Sequence, residues 1–415
     1  GRWADPVGRS WATVVGRGGN NAGMTSDRRA IAEAAAEAVA GISEADLRTV
    51  NAVVGFDGFV DSIIRVVDQR HSMQPEDFRP VSTITGFADR CAAAAGKSTN
   101  IELHVAEQRF GGNGPLLAAA MGSLGASVTY IGAVGTVDDP VMLSPVYQPM
   151  ADRCKQVYPI APAAQTDALE FEDGKLMLGK TASVQAVSWQ LIKDVIGLDT
   201  VRQIYEDATT IGIVNWVMLQ GVEGIWRGLI DDVLPGLSKD NERSMFIDLC
   251  DPAKRTDEDV RRAAGYLTEL SGFVPVTLGL NQAEAERMGR VLGVDIYEGP
   301  GNQSLGSAME HAASTIRAKL GLACCVVHPR EGAAAADAKA TAWFEGPFTI
   351  KPKISTGAGD HFNGGFAMAQ NLGLELAQCL AVGCAVSGAY VRDARSPGRD
   401  RIVEFLRDLP RSQAR

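Results

Sequence analysis

Apolar and polar positions first settle into a regular order at "AVVGFDGFVD", where Val53 and Val54 form a short apolar run closed by Gly55 and a carboxylate. Such a run predicts a buried strand, with Gly55 to Asp61 as the turn leaving its end. The stretch "FGGNGPLLAAAMGSLGASVTYIG" then reads as loop, helix, turn and strand. Leu116, Leu117 and Ala120 recur at helical spacing, and Gly125 ends the helix. Between Val137 and Thr210 the periodicity weakens, but "DALEFEDGKLML" alternates and sets Asp173-Gly174 at a hairpin turn. A hairpin inside a helix-and-strand chain predicts a small lid or flap. From "TTIGIVNW" onward the order is regular, with strands predicted at Ile211 to Val214, Ser244 to Asp248, Val274 to Leu278 and Ala323 to Val327. Helices are predicted around 220–234, 256–269, 281–291 and 304–319, and two Ala-rich ones near 360–370 and 375–391. This βαβ spacing implies an α/β fold with a mainly parallel central sheet flanked by helices, whose ligands gather beyond the carboxyl ends of the strands.

Composition narrows the function classes. Of 415 residues, 46% are hydrophobic, enough for a large core, and residues 1–50 read as an N-terminal extension, helical in part, ahead of a body at 51–415. The formal charge is −10 with no basic patch, which argues against a nucleic-acid partner. No run approaches the roughly 18 apolar residues of a membrane span. The start, "GRWADPVGRSW", has no secretory pattern, and the seven cysteines form no CxxC pair, so reduced thiols and a cytoplasmic location are expected.

The chemistry concentrates in "STGAGDHFNGGF". Gly357, Ala358 and Gly359 leave room for a phosphate at a helix start, where unsatisfied N–H groups and the helix dipole favour an anion. Asp360 would repel that anion, so it needs a task such as accepting a proton from an attacking group; as a structural residue it would simply complement the dipole. "NQAE" sets Asn281 and Glu284 three apart after a strand, an ordinary capping box that is also able to order hydrated magnesium around phosphates. "RFGGNGP" places Gly111, Gly112 and Asn113 at a loop-to-helix junction, read as a turn or as a close approach to a polar ligand. Asp57 and Asp61 at the first strand end suit sugar hydroxyls or helix capping. "GKST" at Gly96 to Thr99 is no P-loop, because Cys91 stands where the first glycine belongs and no strand leads in. "GRGGNN" lacks the spacing of a dinucleotide fingerprint, which leaves an NAD-dependent oxidoreductase without support. The five histidines are too dispersed for a metal signature.

Together "TGAGDHFNGGF", "GGNGPLLAAAMGSLG", "NQAE" and "DLCDPAKR" near Asp251 resemble the ribokinase-like, or PfkB, family of carbohydrate and nucleoside kinases, from about Val53 to the end. The resemblance implies a sandwich with a small β lid, drawn from 62–110 and 156–182, and ATP and Mg²⁺ as cofactors. It implies Asp360 as general base, Gly357, Ala358 and Gly359 as the anion hole, and Thr356 with Asn281 and Glu284 at the nucleotide, Glu284 touching the metal through water. Asp61 with Asp57, and Gly111, Gly112 and Asn113, would bind a sugar or nucleoside acceptor, and a homodimer is common in the family.

The chain also departs from the family pattern. Val60 takes the place of the N-terminal Asp, so Asp61 serves only with a one-residue shift, and Leu116 replaces a common Asn. "VHPREG" stands for Thr-x-Gly, bringing His328 and Arg330 toward the nucleotide, and Ile354 replaces an Asp, which removes support for a monovalent cation. These departures keep two alternatives open: an ADP-dependent sugar kinase, and a non-catalytic ligand-binding or regulatory protein on the same scaffold.

Overall fold

The computed structural model describes residues 21–239, 242–250, 254–297 and 304–413. Fourteen described strands run in chain order as β1 (Asn51–Phe56), β2 (Phe59–Arg70), β3 (Phe78–Pro80), β4 (Leu103–Gly111), β5 (Ser127–Gly132), β6 (Gln156–Pro159) and β7 (Ala164–Phe171), then β8 (Gly174–Lys180), β9 (Thr210–Val214), β10 (Ser244–Asp248), β11 (Val276–Leu280), β12 (Cys324–Val327), β13 (Gly332–Ala336) and β14 (Thr341–Glu345). They form two sheets. The large one has nine strands in the order β14-β13-β12-β11-β10-β9-β1-β5-β6. From β12 to β6 its neighbours are parallel, and only β13 and β14 run antiparallel. Strands β9, β11 and β12 are buried at every position, as continuous apolar runs in a doubly covered parallel sheet should be.

The small sheet joins β3, β2, β7 and β8, with β4 also paired to β2. Its strands come from 59–111 and 164–180. The 156–163 part of the expected lid belongs elsewhere, because β6 pairs in parallel with β5 and completes the large sheet. The Asp173-Gly174 hairpin forms as expected between β7 and β8.

Element boundaries follow local chemistry. The strand expected at 274–278 lies two residues later, after a turn at Gly272–Phe273 and a proline that has no N–H for the ladder. The helix expected over 220–234 is regular only over Val222–Gly228, then widens into a π turn and tightens into a 3₁₀ turn at Pro235. The helix expected from 281 begins at Gln282 because Asn281 is its cap.

The described part of the segment read as an extension, from residue 21, packs into the body. Its helix Asn21–Gly41 buries Ala32, Ala35, Ala36 and Val39 in the core beside Ile402 and Phe405. Arg28 also donates to the carbonyls of Glu345 and Pro410 at 2.8 Å each. Small alanines let a helix sit close against its neighbours, so the Ala-rich face that reads as appended is a packing face.

Candidate active site

The parallel order brings the ends of β1, β9, β10, β11 and β12 side by side, and each end delivers a polar residue. These are Asp57, Asn215, Asp248, Asn281 and His328. Two helix starts face the same region: Asn113–Ser123 and Ala358–Asn371.

Asp57 is fully buried. One carboxylate oxygen accepts from Asn113 N–H at 2.9 Å and Asn215 Nδ2 at 2.6 Å, the other from Gly114 N–H at 2.7 Å. It therefore caps the Asn113 helix and ties it to β1 and β9. Gly112 precedes that helix at φ 96°, a left-handed conformation glycine adopts without a Cβ penalty. Asn113 extends the network, since its side-chain Nδ2 donates to Asp360 Oδ1 at 2.8 Å.

Asp360 is the third residue of the 14-residue helix Ala358–Asn371 and 5% exposed. Burial first, and then the Asp248 and Asp57 charges, push its carboxyl well above the usual carboxylate range, with the Asn113 bond opposing. Asp248 is held in turn by Cys250 N–H at 2.7 Å and Asn363 Nδ2 at 2.6 Å. A basic carboxylate with a fixed orientation is what proton abstraction from a hydroxyl needs.

Gly357 caps this helix with φ 86°, and a Cβ there would lie 2.9 Å from Leu116 Cδ1. Leu116, which replaces a polar family residue, thus packs against the cap. His361 locks the same turn. Its Nδ1–H donates to Gly357 C=O at 2.8 Å and its Nε2 accepts from Ser396 Oγ at 2.9 Å, an assignment forced because a carbonyl only accepts. The ring stacks on Tyr390 at 3.5 Å, and burial lowers its pKa to about 4, so it stays neutral. Tyr390 donates its O–H to Thr356 C=O at 3.0 Å, and Lys175 Nζ donates to Thr356 Oγ1 at 2.9 Å. Sequence reasoning missed His361, Tyr390, Asn215, Asp248 and Lys175; only His361 was discoverable from its place beside Asp360.

The Ser355–Gly359 loop stands between two cavities, and Ser355 lines both. One, about 760 Å³, is lined by Asn281, His328, Arg330, Ala358, Gly359 and Phe362. The other, about 630 Å³, is lined by Asp61, Arg109, Leu116, Lys175, Thr356 and Tyr390. Asp61 sits on β2, where burial raises its carboxyl pKa and the Thr166 hydroxyl and Lys175 oppose that rise. Gly111 lies directly against it, and a Cβ at that glycine would fall 2.5 Å from Asp61 Oδ2. The expected acceptor residues are therefore divided: Asp61 faces a cavity, whereas Asp57 and the Gly112–Asn113 backbone build the floor that holds Asp360.

Asn281 and Glu284 form a complete capping box. Glu284 N–H donates to Asn281 Oδ1 at 3.0 Å, and Asn281 N–H and Nδ2 each donate to Glu284 at 2.7 Å. Among the described residues no group of three His, Cys, Asp or Glu is placed to hold a metal ion. This donor set fits a hydrated magnesium carried on nucleotide phosphates rather than a protein cage. The Asp251–Ala253 portion of "DLCDPAKR" lies outside the described residues. All seven cysteines are free, and no described helix is long and apolar enough to cross a membrane.

Comparison with known proteins agrees with this geometry. The prokaryotic ketohexokinase family model matches residues 27–409, which takes in the N-terminal helix from Asp27 onward. A ketohexokinase of Haloferax volcanii is 30% identical over 354 residues, 85% of this chain and 89% of that one. Phosphofructokinase-2 from Escherichia coli, solved with substrates and products, superposes with a TM-score of 0.58 at 14% identity, covering 87% of this chain and 99% of that one. Arabidopsis thaliana ribokinase, solved with ribose and ATP, gives 0.56 at 15% identity, covering 86% and 98%. The chain belongs to the prokaryotic ketohexokinase family and is a carbohydrate kinase with a ribokinase-like fold.

Proposed function

We propose that the chain transfers the terminal phosphoryl group of ATP to a hydroxyl of a ketohexose. The observation that carries this reading is the Ser355–Gly359 loop between two cavities, with a buried, high-pKa Asp360 one residue beyond it. The nucleotide occupies the 760 Å³ cavity beside His328 and Arg330, and the acceptor occupies the 630 Å³ cavity beside Asp61 under the small sheet, which acts as a lid. His328 Nε2 is buried without a hydrogen-bond partner, an orphan that a nucleotide atom would satisfy.

Asp360 takes the proton of the acceptor hydroxyl as that oxygen bonds phosphorus and the bridging P–O bond breaks. The electron pair of the broken bond leaves with the nucleoside diphosphate. The N–H groups of Gly359 and Asp360, in a first turn pre-set by the Gly357 cap and the His361 lock and with Ala358 N–H held by Ser355 C=O at 3.3 Å, face the phosphoryl oxygens and require no reorganisation as charge shifts. Magnesium, when bound with the nucleotide, neutralises phosphate charge. Asn281 and Glu284 would hold the hydrated ion through its water rather than by direct coordination.

The test crosses ATP and ADP with ketohexoses, aldoses and nucleosides in the presence of Mg²⁺ and reads acceptor phosphorylation by mass. ATP with a ketohexose should give the largest kcat/KM. Preference for ADP, or for a nucleoside, refutes that part of the reading; nucleotide binding without transfer to any acceptor supports a non-catalytic role.

A further inference from the structure

The small sheet supplies the only cation hydrogen-bonded to the Ser355–Gly359 loop among the described residues. Lys175 is the second residue of β8, just after the turn, and its Nζ reaches Thr356 Oγ1 at 2.9 Å across 181 positions of sequence. The turn that presents it is anchored, with Asp173 Oδ1 accepting from Ile84 N–H at 2.9 Å. Glu170 is its register partner on β7 and lines the same cavity, yet Lys175 makes no ion pair with it or with any other described carboxylate. Asp61 acts on it through space only.

An ammonium that passes over a carboxylate for a neutral hydroxyl, one residue before a helix start, stands in an unfavourable place. The positive end of the helix repels it. An anion between Lys175 and the helix reverses that, because both then attract the same charge. The other groups fixing the loop, His361 and Tyr390, are neutral and bond to its carbonyls, so neither is placed to offset charge building on a transferred group.

We propose that Lys175 is a catalytic residue, which leaves Thr356 to donate a hydrogen bond to a non-bridging oxygen of the phosphoryl group in transfer. This rests on the kinase reading above. Lys175 keeps its protons; the acceptor's proton still goes to Asp360, and the ammonium offsets the charge spread over the phosphoryl oxygens. Closure of the small sheet and assembly of the anion site are thereby one event, and a kinase still open to water lacks its cation.

Lys175 is exposed, so Lys175→Met should fold, with the thermal midpoint as the control. The expected result is a fall in kcat of about 100-fold with little change in acceptor KM, the size of losing one charge-stabilising donor. Lys175→Arg should recover part of it. Binding of ADP with aluminium fluoride, which mimics the phosphoryl group in flight, should weaken in Lys175→Met while ATP binding holds. An unchanged kcat overturns the assignment, as does a rise in acceptor KM alone. So does faster ATP hydrolysis without acceptor at an unchanged kcat, which would make Lys175 a latch. Absence of turnover in the wild type, across the acceptor panel, overturns the kinase reading and this assignment with it.

Discussion

The two sheets solve opposite problems. In the large sheet, strands buried on both faces fix their register through side-chain burial as well as hydrogen bonds, so the polar residues at their ends are held to a definite geometry. The small sheet has one covered face, with a satellite core of Ile64, Val66, Val81 and Leu169, and leaves Leu103, Val105, Met177 and Leu178 exposed. The difference teaches where precision and mobility are divided. The rigid sheet supports the buried Asp360 and its network, and the lightly anchored one carries Asp61 and Lys175, which line the 630 Å³ cavity.

The sharpest way to break this division is Asp360→Asn. It should lower kcat by about 1,000-fold while leaving ATP binding intact in a calorimetric titration, because only the proton acceptor is lost. Retained turnover would remove Asp360 from the chemistry. A second test addresses the rigid region as a scaffold. Trp226 is fully buried in the large-sheet core, and Trp226→Ala should cost about 3–5 kcal/mol in denaturant unfolding. A loss below about 1 kcal/mol would mean the core tolerates what its packing says it should not.

A subtler pair of measurements uses the raised Asp360 pKa. Its carboxyl prefers the protonated form in the folded chain, so this preference stabilises the fold below the ordinary carboxylate pKa and is lost as pH rises through the raised value. Above the ordinary carboxylate pKa this burial therefore costs the folded chain stability, and Asp360→Asn should raise the thermal midpoint by about 2 °C at neutral and higher pH, the gain vanishing in acid. The acidic limb of the kcat/KM profile should lie above the usual carboxylate range. Asp248→Asn should shift that limb downward, and Asn363 Oδ1, which lacks a partner, is able to accept from the new amide. The smallest effect is expected on the small sheet's outer surface, where Leu178→Ser should change stability by no more than about 0.5 kcal/mol. A large cost there would show that an exposed apolar position is covered in solution.

Much of the site's local chemistry was legible in the chain. "STGAGDHFNGGF" declares a small-residue helix start with a carboxylate, "NQAE" declares a capping box that the structure forms in full, and Asp173-Gly174 declares a hairpin. Each is a pattern within a few residues, where backbone preference and side-chain reach decide the outcome. Alternation and apolar runs likewise predicted the mainly parallel sheet and most strand positions.

What the tertiary structure alone decided is which distant residues meet. Asn113 and Asp360 are 247 positions apart and bond because the two helices that carry them in their first turns pack against each other over the parallel sheet. Asp57 looks like a sugar ligand at a strand end, but a helix start seated over it claims both its oxygens. The Ala-rich N-terminal helix reads as an addition until its small face is seen against the C-terminal helices. Lys175 in the sequence is one lysine in a polar hairpin, and only the folding of one sheet over the other brings it to Thr356. Local sequence fixes conformation through short-range sterics and hydrogen bonds, whereas strand order and packing fix proximity, and catalysis depends on proximity.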